Sequence, residues 1–329
     1  MRLQNIDFLR GLAVSMVVLV HSTSSTLPWI EESILHKVFE FGKYGVEIFF
    51  VISGYIICYS LYNHNYSFKK SFNFLLRRII RINPPAYIIL IFYLLIEVFV
   101  FALNGRHLIL SQPFETNQVI SNFLFLTNAF NTDLYLETFW TLETELQFYL
   151  FIAFTFPLII NKIELIRYIS LAGLIIFGFL DTPFALSVHF ACFLLGIIYF
   201  MMQNNMINKK IFIISLIPCV SIFLLNGQYF ELLFSLFSLF VLFVNEPIKS
   251  KVFQFLGRIS FSLYIVHIFV FIYLDVILNK IGWNFLHETI TSKFLLVIIY
   301  YGIAILISTI FYEFVEKPFI NYSKRISMN

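Results

Sequence analysis

The chain has 329 residues, of which 60% are hydrophobic and 12% are charged, and its mean hydropathy is +0.86. A water-soluble globule of this composition would expose a large apolar surface, so we exclude that class and expect an integral membrane protein. The three cysteines, Cys58, Cys192 and Cys219, each lie within an apolar run. They indicate small buried side chains rather than disulfide bonds, and no metal-binding motif accompanies them.

Ten apolar segments are long enough, or nearly so, to cross a bilayer, which takes about 17 to 25 residues of helix. They are residues 7–25, 44–62, 83–103, 141–160, 167–181, 184–202, 211–226, 229–245, 259–279 and 294–315. The fifth, seventh and eighth are short. The sequence therefore predicts an all-α integral membrane protein with about ten transmembrane helices. We expect one transmembrane domain over residues 1–329, with a short tail at its end.

Lysine and arginine residues predict the orientation. If both termini are cytoplasmic, 17 of the 22 basic residues lie in cytoplasmic segments. The five that remain outside are Lys37, Lys43, Arg106, Lys280 and Lys293. This bias follows the positive-inside rule and agrees with an even number of spans. Topology thus explains the net charge of +3, and no nucleic-acid partner is expected.

The first predicted span carries three ionisable residues, Asp7, Arg10 and His21. Such residues are costly within a bilayer, which makes them candidate site residues. His21 follows Arg10 by 11 residues, or about three helical turns, so the two share a face that Asp7 joins. A histidine can take a proton from a hydroxyl near neutral pH. The alternatives are an arginine that only sets topology and an interfacial histidine at a helix end.

The fourth predicted span opens with the sequence WTLETELQFY over residues 140–149. Glu143 and Glu145 are two residues apart and cannot face one site on a helix. Glu143 fits a first-turn acid that faces the helix N-terminus. Glu145 is deeper, and Tyr149 four residues later gives its face a polar character. We therefore take Glu145 as the candidate, the alternative being a solvated interfacial acid.

A basic segment precedes the third predicted span. Its cationic residues are Lys69, Lys70, Arg77, Arg78 and Arg81. Arginines three apart can present their guanidinium groups on one helical face, where they would bind the phosphates of a nucleotide-bearing cofactor. Anionic lipid and the positive-inside rule are the alternative explanation. Pro84 and Pro85 then predict the start of a helix, where the missing N–H costs least.

Two further segments carry small or polar residues. Ser53 and Gly54, in the second span, predict close packing between helices. In the ninth span Ser260, Tyr264 and His267 are spaced by four and three residues and share one face. The alternative to a site at His267 is a buried histidine that hydrogen-bonds a neighbouring helix.

In chain order these motifs resemble the acyltransferase 3 family of membrane O-acyltransferases over essentially the whole chain. The matching stretches are IDFLRGLA with His21 after it, FFVISGY at 49–55, RIIR at 78–81, the block at 140–149, LGRISFSLYIVH at 256–267 and EKP at 316–318. The resemblance implies His21 and Glu145 as catalytic residues, and Arg10, Arg78 and Arg81 as residues that bind the donor. Asp7, Tyr149, Tyr264 and His267 are further candidates.

The resemblance also implies the reaction. We expect an enzyme that transfers an acyl group, most directly acetyl, from acetyl-CoA to a hydroxyl of a glycan or lipid-linked sugar at the cell envelope. His21 would act as general base or as transient acyl carrier, with Glu145 as its partner. The expected location is the bacterial inner membrane, with no permanently bound cofactor and no metal.

An alternative from another class is a transporter or flippase for a lipid-linked glycan. Asp7, Glu47 and Glu145 would then serve a proton pathway, and ten spans suit a carrier. Against this hypothesis, no pair of Gly- or Pro-interrupted helices occurs in two matching halves of the sequence.

Overall fold

The protein is described here by a computed structural model that covers residues 2–23, 34–105, 114–182, 184–283 and 289–327. These ranges consist of helices and connecting turns, with no strand among them. The helices are α1 Arg2–Thr23, α2 Ile34–Phe39, α3 Gly45–Asn63, α4 Ser71–Asn104, α5 Thr116–Leu124, α6 Thr127–Phe130, α7 Phe139–Ile159, α8 Glu164–Gly178, α9 Ala185–Gln203, α10 Lys209–Leu225, α11 Tyr229–Phe243, α12 Lys251–Arg258, α13 Ser260–Lys280, α14 Ile290–Phe311 and α15 Lys317–Ser323. A π-helical turn, Tyr312–Glu316, joins α14 to α15.

Each of the ten predicted spans corresponds to one helix, which confirms the all-helical membrane class. In the described ranges seven helical segments are long and apolar enough to cross a bilayer, and they contain α1, α3, α4, α7, α9, α13 and α14. The other three, α8, α10 and α11, have 15, 17 and 15 residues. Ten crossings and the side of each terminus therefore stay predictions.

The prediction that a helix starts at Pro84 is wrong. α4 begins at Ser71 and continues through both prolines to Asn104. A proline leaves the carbonyl four residues earlier without its helical donor, which a buried helix can accommodate. As a result the arginines at 78 and 81 lie on the same helix as the apolar span, one turn apart.

Glycines set two close helix crossings. A Cβ on Gly54 of α3 would lie 2.2 Å from the Phe193 carbonyl oxygen of α9, and a Cβ on Gly196 of α9 would lie 2.2 Å from the Val51 carbonyl oxygen. Gly11 of α1 and Gly257 of α12 form a similar crossing. The predicted close packing at Gly54 is thus confirmed, because only glycine leaves room for this backbone approach.

The outer helices present apolar side chains away from the bundle. Exposed large residues of α4 include Phe92, Leu95, Val98 and Phe99, and α10 and α14 carry comparable rows. By contrast, α9 is largely enclosed. A surface of this kind is stable in hydrocarbon and not in water.

Candidate active site

Three arginines line one cavity of about 410 Å³, which lies within the range of small-molecule sites. Arg10 comes from α1, and Arg78 and Arg81 come from α4. The remaining wall is mainly apolar and is contributed by α3, α7 and α13. The structure therefore brings together the three arginines that the sequence predicted as donor-binding residues.

The guanidinium groups of these arginines have no hydrogen-bonded or ion-paired partner among the described residues. Within the described ranges, Arg10, Arg78 and Arg81 donate no hydrogen bond and have no carboxylate oxygen within the 4.0 Å of an ion pair. Arg78 instead lies over two aromatic rings, with Cζ 5.5 Å from the ring centroids of Phe74 and Tyr149. Half-buried guanidinium groups without an anionic partner are suited to bind an anion that enters the cavity.

Glu145 lies in this cavity, near the arginines. Its carboxylate accepts hydrogen bonds from the Tyr149 hydroxyl and, at 3.4 Å, from the Ser53 hydroxyl. Its charge also acts on Arg10 and Arg78. Glu145 is predicted from the sequence to be the partner of His21, whereas its hydrogen bonds in the structure go to Tyr149 and Ser53. The reason is geometric, because the helix directs Glu145 and Tyr149 together toward the arginines.

Glu143, two residues earlier, faces the other way and anchors a loop. Its carboxylate accepts hydrogen bonds from the backbone N–H and hydroxyl of Thr127 at 3.1 and 2.7 Å, and from the Asn128 N–H at 3.3 Å. These donors begin the short helix α6. The two glutamates face opposite ways, as predicted, but no sequence signal indicated the loop that Glu143 holds.

Tyr264 and Thr141 form one wall of the cavity. The Thr141 hydroxyl lies 2.9 Å from the Tyr264 hydroxyl and 2.9 Å from the Thr138 carbonyl oxygen. Both residues line the cavity, and the Tyr264 ring centroid is 6.0 Å from that of His267. Tyr264 therefore stands beside both the cavity and His267.

The two candidate histidines are in contact with each other. His267 Nε2 lies 3.2 Å from His21 Nδ1, and the ring centroids are 5.1 Å apart. His267 is fully buried, and His21 is half-buried. Neither ring is among the residues that line the arginine cavity. The histidine pair therefore lies next to Tyr264 but outside the lining of the cavity, and in the described ranges Glu145 forms no hydrogen bond with either histidine.

Two further carboxylates act on the arginines through charge. Asp7, half-buried on α1, interacts electrostatically with Arg10 and Arg258. Glu316 is buried and accepts hydrogen bonds from the Ser262 backbone N–H and hydroxyl at 3.1 and 2.5 Å. Its charge reaches Arg10 and Arg81. Glu316 therefore ties the π-helical turn after α14 to the first turn of α13, a link that its place in the EKP motif does not reveal.

Comparison with known proteins identifies the family. A family model described as "Acyltransferase domain" matches residues 3–313. The chain belongs to the acyltransferase 3 family. It is also 27% identical over 293 residues to a protein of Acidianus two-tailed virus named "Putative acetyltransferase ORF330". The aligned region covers 79% of this chain and 81% of the relative. No solved structure matches the chain.

Membership in this family makes the chain an acyltransferase, and its apolar helices make it a multi-pass membrane protein. The predicted family is confirmed. The ionisable residues within spans, which suggested a transporter, are equally what an enzyme in a membrane needs.

Proposed function

We propose that the protein transfers an acyl group, most directly acetyl, from acyl-CoA to a sugar hydroxyl of an envelope or exported polysaccharide. The observation that carries the proposal is the cavity lined by Arg10, Arg78 and Arg81, whose guanidinium groups form no hydrogen bond or ion pair with any residue that the structure describes. Coenzyme A carries several phosphate charges on a long flexible arm. Guanidinium groups bind phosphate through paired hydrogen bonds, so the arginines suit the charged end of this donor.

The length of the site supports the same assignment. Arg10 and His21 lie on one continuous helix, α1, and are separated by about three turns, or roughly 16 Å. A pantetheine arm bound at the arginines would extend along α1 toward Tyr264 and the histidine pair. The phosphates would then lie at the cytoplasmic end and the thioester nearer the opposite surface.

His21 would act as the general base. In this mechanism the acceptor hydroxyl gives its proton to His21 Nε2 while its oxygen attacks the thioester carbonyl carbon. The carbon–sulfur bond then breaks, and the departing thiolate takes a proton back from His21. A transient acyl group on His21 is the alternative route, which radiolabelled acyl group trapped on the protein without an acceptor would reveal.

Substitutions at the two ends of the site test the function through separable defects. Arg81→Ala should raise the KM for acetyl-CoA about 10- to 100-fold and leave kcat nearly unchanged, because it removes binding present in both ground and transition states. His21→Ala should lower kcat by roughly 10² to 10⁴ while CoA still binds. The assay follows radiolabelled acetyl from acetyl-CoA into the membrane-glycan fraction of the host cells.

Arg81→Lys is the matched control, since it keeps the basic charge that topology requires and loses the planar guanidinium. Each variant must first be present in the membrane in normal amounts. Full turnover in His21→Ala, or loss of CoA binding in that variant, would contradict the proposed placement of the chemistry.

The acceptor and the compartment follow from the same proposal. A sugar hydroxyl would approach the histidine pair from the side opposite the arginines, so acyl groups made in the cytoplasm would reach glycans outside it. This arrangement fits the inner membrane of a bacterium. Mass spectrometry of surface glycans from cells with and without the gene would identify the modified hydroxyl.

A further inference from the structure

The two histidines of the site make the same local contact. His21 Nδ1 lies 2.8 Å from the Val17 carbonyl oxygen, and His267 Nδ1 lies 3.0 Å from the Leu263 carbonyl oxygen. In each case the carbonyl is four residues earlier on the same helix. A carbonyl oxygen only accepts hydrogen bonds, so in the neutral ring each Nδ1 carries the proton and each Nε2 carries a lone pair.

This assignment fixes the contact between the rings. The lone pair of His267 Nε2 faces the protonated Nδ1 of His21 at 3.2 Å. The Nδ1–H of His21 is thereby shared between the Val17 carbonyl oxygen and His267, and the basic lone pair of the neutral His21 ring is on Nε2. His267 itself has no exposed surface. The ring can therefore hold its orientation without competition from water.

We infer that His267 is the positioning residue of the acyl transfer, which accepts the Nδ1–H of His21 and stabilises the imidazolium that forms when His21 Nε2 takes the acceptor proton. The inference rests on the proposed role of His21 as general base. It gives His267 the function that the sequence analysis gave to Glu145. Among the described residues, Glu137, in the turn before α7, supplies a carboxylate charge that acts on His21.

A neutral partner suits this place in the fold. A carboxylate buried beside His21 would need further donors to offset its desolvation, as Glu143 and Glu316 have. An imidazole lone pair incurs a smaller penalty and still strengthens its hydrogen bond when His21 becomes charged. The proton then moves only between the acceptor oxygen, His21 Nε2 and the leaving thiolate, and His267 keeps its own proton throughout.

Two substitutions at one position separate the hydrogen bond from packing. His267→Gln keeps an acceptor oxygen about as far from the backbone as Nε2, whereas His267→Leu keeps the volume and loses the acceptor. With acetyl-CoA and the membrane-glycan fraction as substrates, we expect His267→Leu to lower kcat about 10- to 100-fold with an unchanged KM for acetyl-CoA. His267→Gln should stay within about threefold of the wild type.

Tyr301→Phe is the matched control, because it removes a 2.9 Å hydrogen bond from α14 to Ser15 on the same helix α1 without touching a histidine. It should leave kcat within about twofold. Equal losses of kcat in His267→Gln and His267→Leu would overturn the inference, because the shape of the ring and not its hydrogen-bond acceptor would then determine the activity. Wild-type activity in His267→Leu would overturn it as well.

A double substitution distinguishes failure of the inference from failure of the proposed function. In the His21→Ala background, His267→Leu should cause no further loss, because the two act as one unit. An additional loss of the same size would show an independent role for His267 and overturn the inference alone. Full activity in His21→Ala would remove the proposed function itself.

Discussion

Glu143 and Glu145 are two residues apart on α7 and have opposite surroundings. Glu143 is satisfied by the backbone and hydroxyl groups that begin α6, as a structural carboxylate should be. Glu145 accepts hydrogen bonds from two hydroxyl groups and lies near arginines that form no hydrogen bond or ion pair within the described part of the chain. One negative charge in that cavity offsets part of the positive potential that an incoming phosphate would meet.

Glu145→Gln should therefore tighten CoA binding. The substitution keeps the size of the side chain and its contacts with Ser53 and Tyr149, but removes a charge that opposes the ligand. We expect the Kd for CoA to fall about 3- to 10-fold, which corresponds to roughly 1 kcal/mol. Isothermal titration calorimetry of the purified protein with CoA measures it.

Glu143→Gln is the control for this prediction, because it changes the same residue type on the same helix but on the other face. It should lower the melting temperature, because it weakens the hydrogen bonds between residue 143 and the start of α6, and it should leave the Kd for CoA unchanged. An unchanged Kd in Glu145→Gln together with a large loss of kcat would instead return Glu145 to the role of orienting His21.

The sequence predicted which residues lie together on one helix better than it predicted contacts between helices. Helical spacing placed Arg78 with Arg81 and Glu145 with Tyr149, because both pairs lie within one helix and need only its periodicity. The contact between His21 and His267 joins two helices far apart in the chain, and periodicity says nothing about which helices pack together. The same limit hid the hydrogen bonds from Ser262 to Glu316.

At the scale of elements, two glycine crossings hold the site together. α1 meets α12 through Gly11 and Gly257, and α3 meets α9 through Gly54 and Gly196. The first crossing fixes the helix that carries Arg10, and the second fixes the helix that carries Ser53. The predicted spans located α1, α3 and α9 within a few residues but did not include α12. α4 shows where local rules fail, since its two prolines did not begin a helix.

Alanine at the second crossing should destabilise the protein. In Gly54→Ala and in Gly196→Ala the new Cβ would lie 2.2 Å from a backbone oxygen of the facing helix, so the helices must separate. We expect a loss of about 1 to 3 kcal/mol and a fall in melting temperature of about 3 to 10 °C in detergent.

Gly173→Ala on α8 is the matched control, because nothing lies within 4 Å of the Cβ it would add. It should raise the melting temperature slightly, since alanine is the better helix former by about 1 kcal/mol. Equal melting temperatures for Gly54→Ala and Gly173→Ala would mean that the crossing relaxes without cost.

At the scale of the whole molecule, contacts at one end of the bundle bear on topology. The Asn5 side-chain amide donates to the carbonyl oxygens of Val244 and Glu246 at 2.9 and 3.2 Å, beside the start of α1. At the start of α4, the Asn73 amide donates to the Ser327 carbonyl oxygen at 2.9 Å. Two crossings separate the start of α4 from the start of α1, so both starts lie on the same side of the membrane. Because Ser327 contacts the start of α4, the C-terminal end lies on that side too, which supports an even number of crossings.

If only the seven long helices crossed the bilayer, the number of crossings would be odd. The two residues of each contact would then lie on opposite sides of the membrane. Seven crossings would also move eight basic residues outside, namely Lys209, Lys210, Lys249, Lys251, Arg258, Lys317, Lys324 and Arg325. The positive-inside bias would then vanish. Short turns join α9 to α10 and α10 to α11, as expected for antiparallel neighbours that all cross. We therefore expect α8, α10 and α11 to span despite their length, with local thinning of the bilayer.

Single cysteines at exposed lysines distinguish the two arrangements. With ten crossings Lys280→Cys lies outside and Lys210→Cys inside, whereas with seven the two positions exchange sides. A membrane-impermeant maleimide applied to intact cells should label Lys280→Cys at once and Lys210→Cys only after permeabilisation. Lys69→Cys, inside in both arrangements, is the control for intact membranes, and the native cysteines are buried and should not react. Labelling of Lys210→Cys in intact cells would contradict ten crossings, because it would place the segment after α9 on the side opposite Arg10 and the donor cavity.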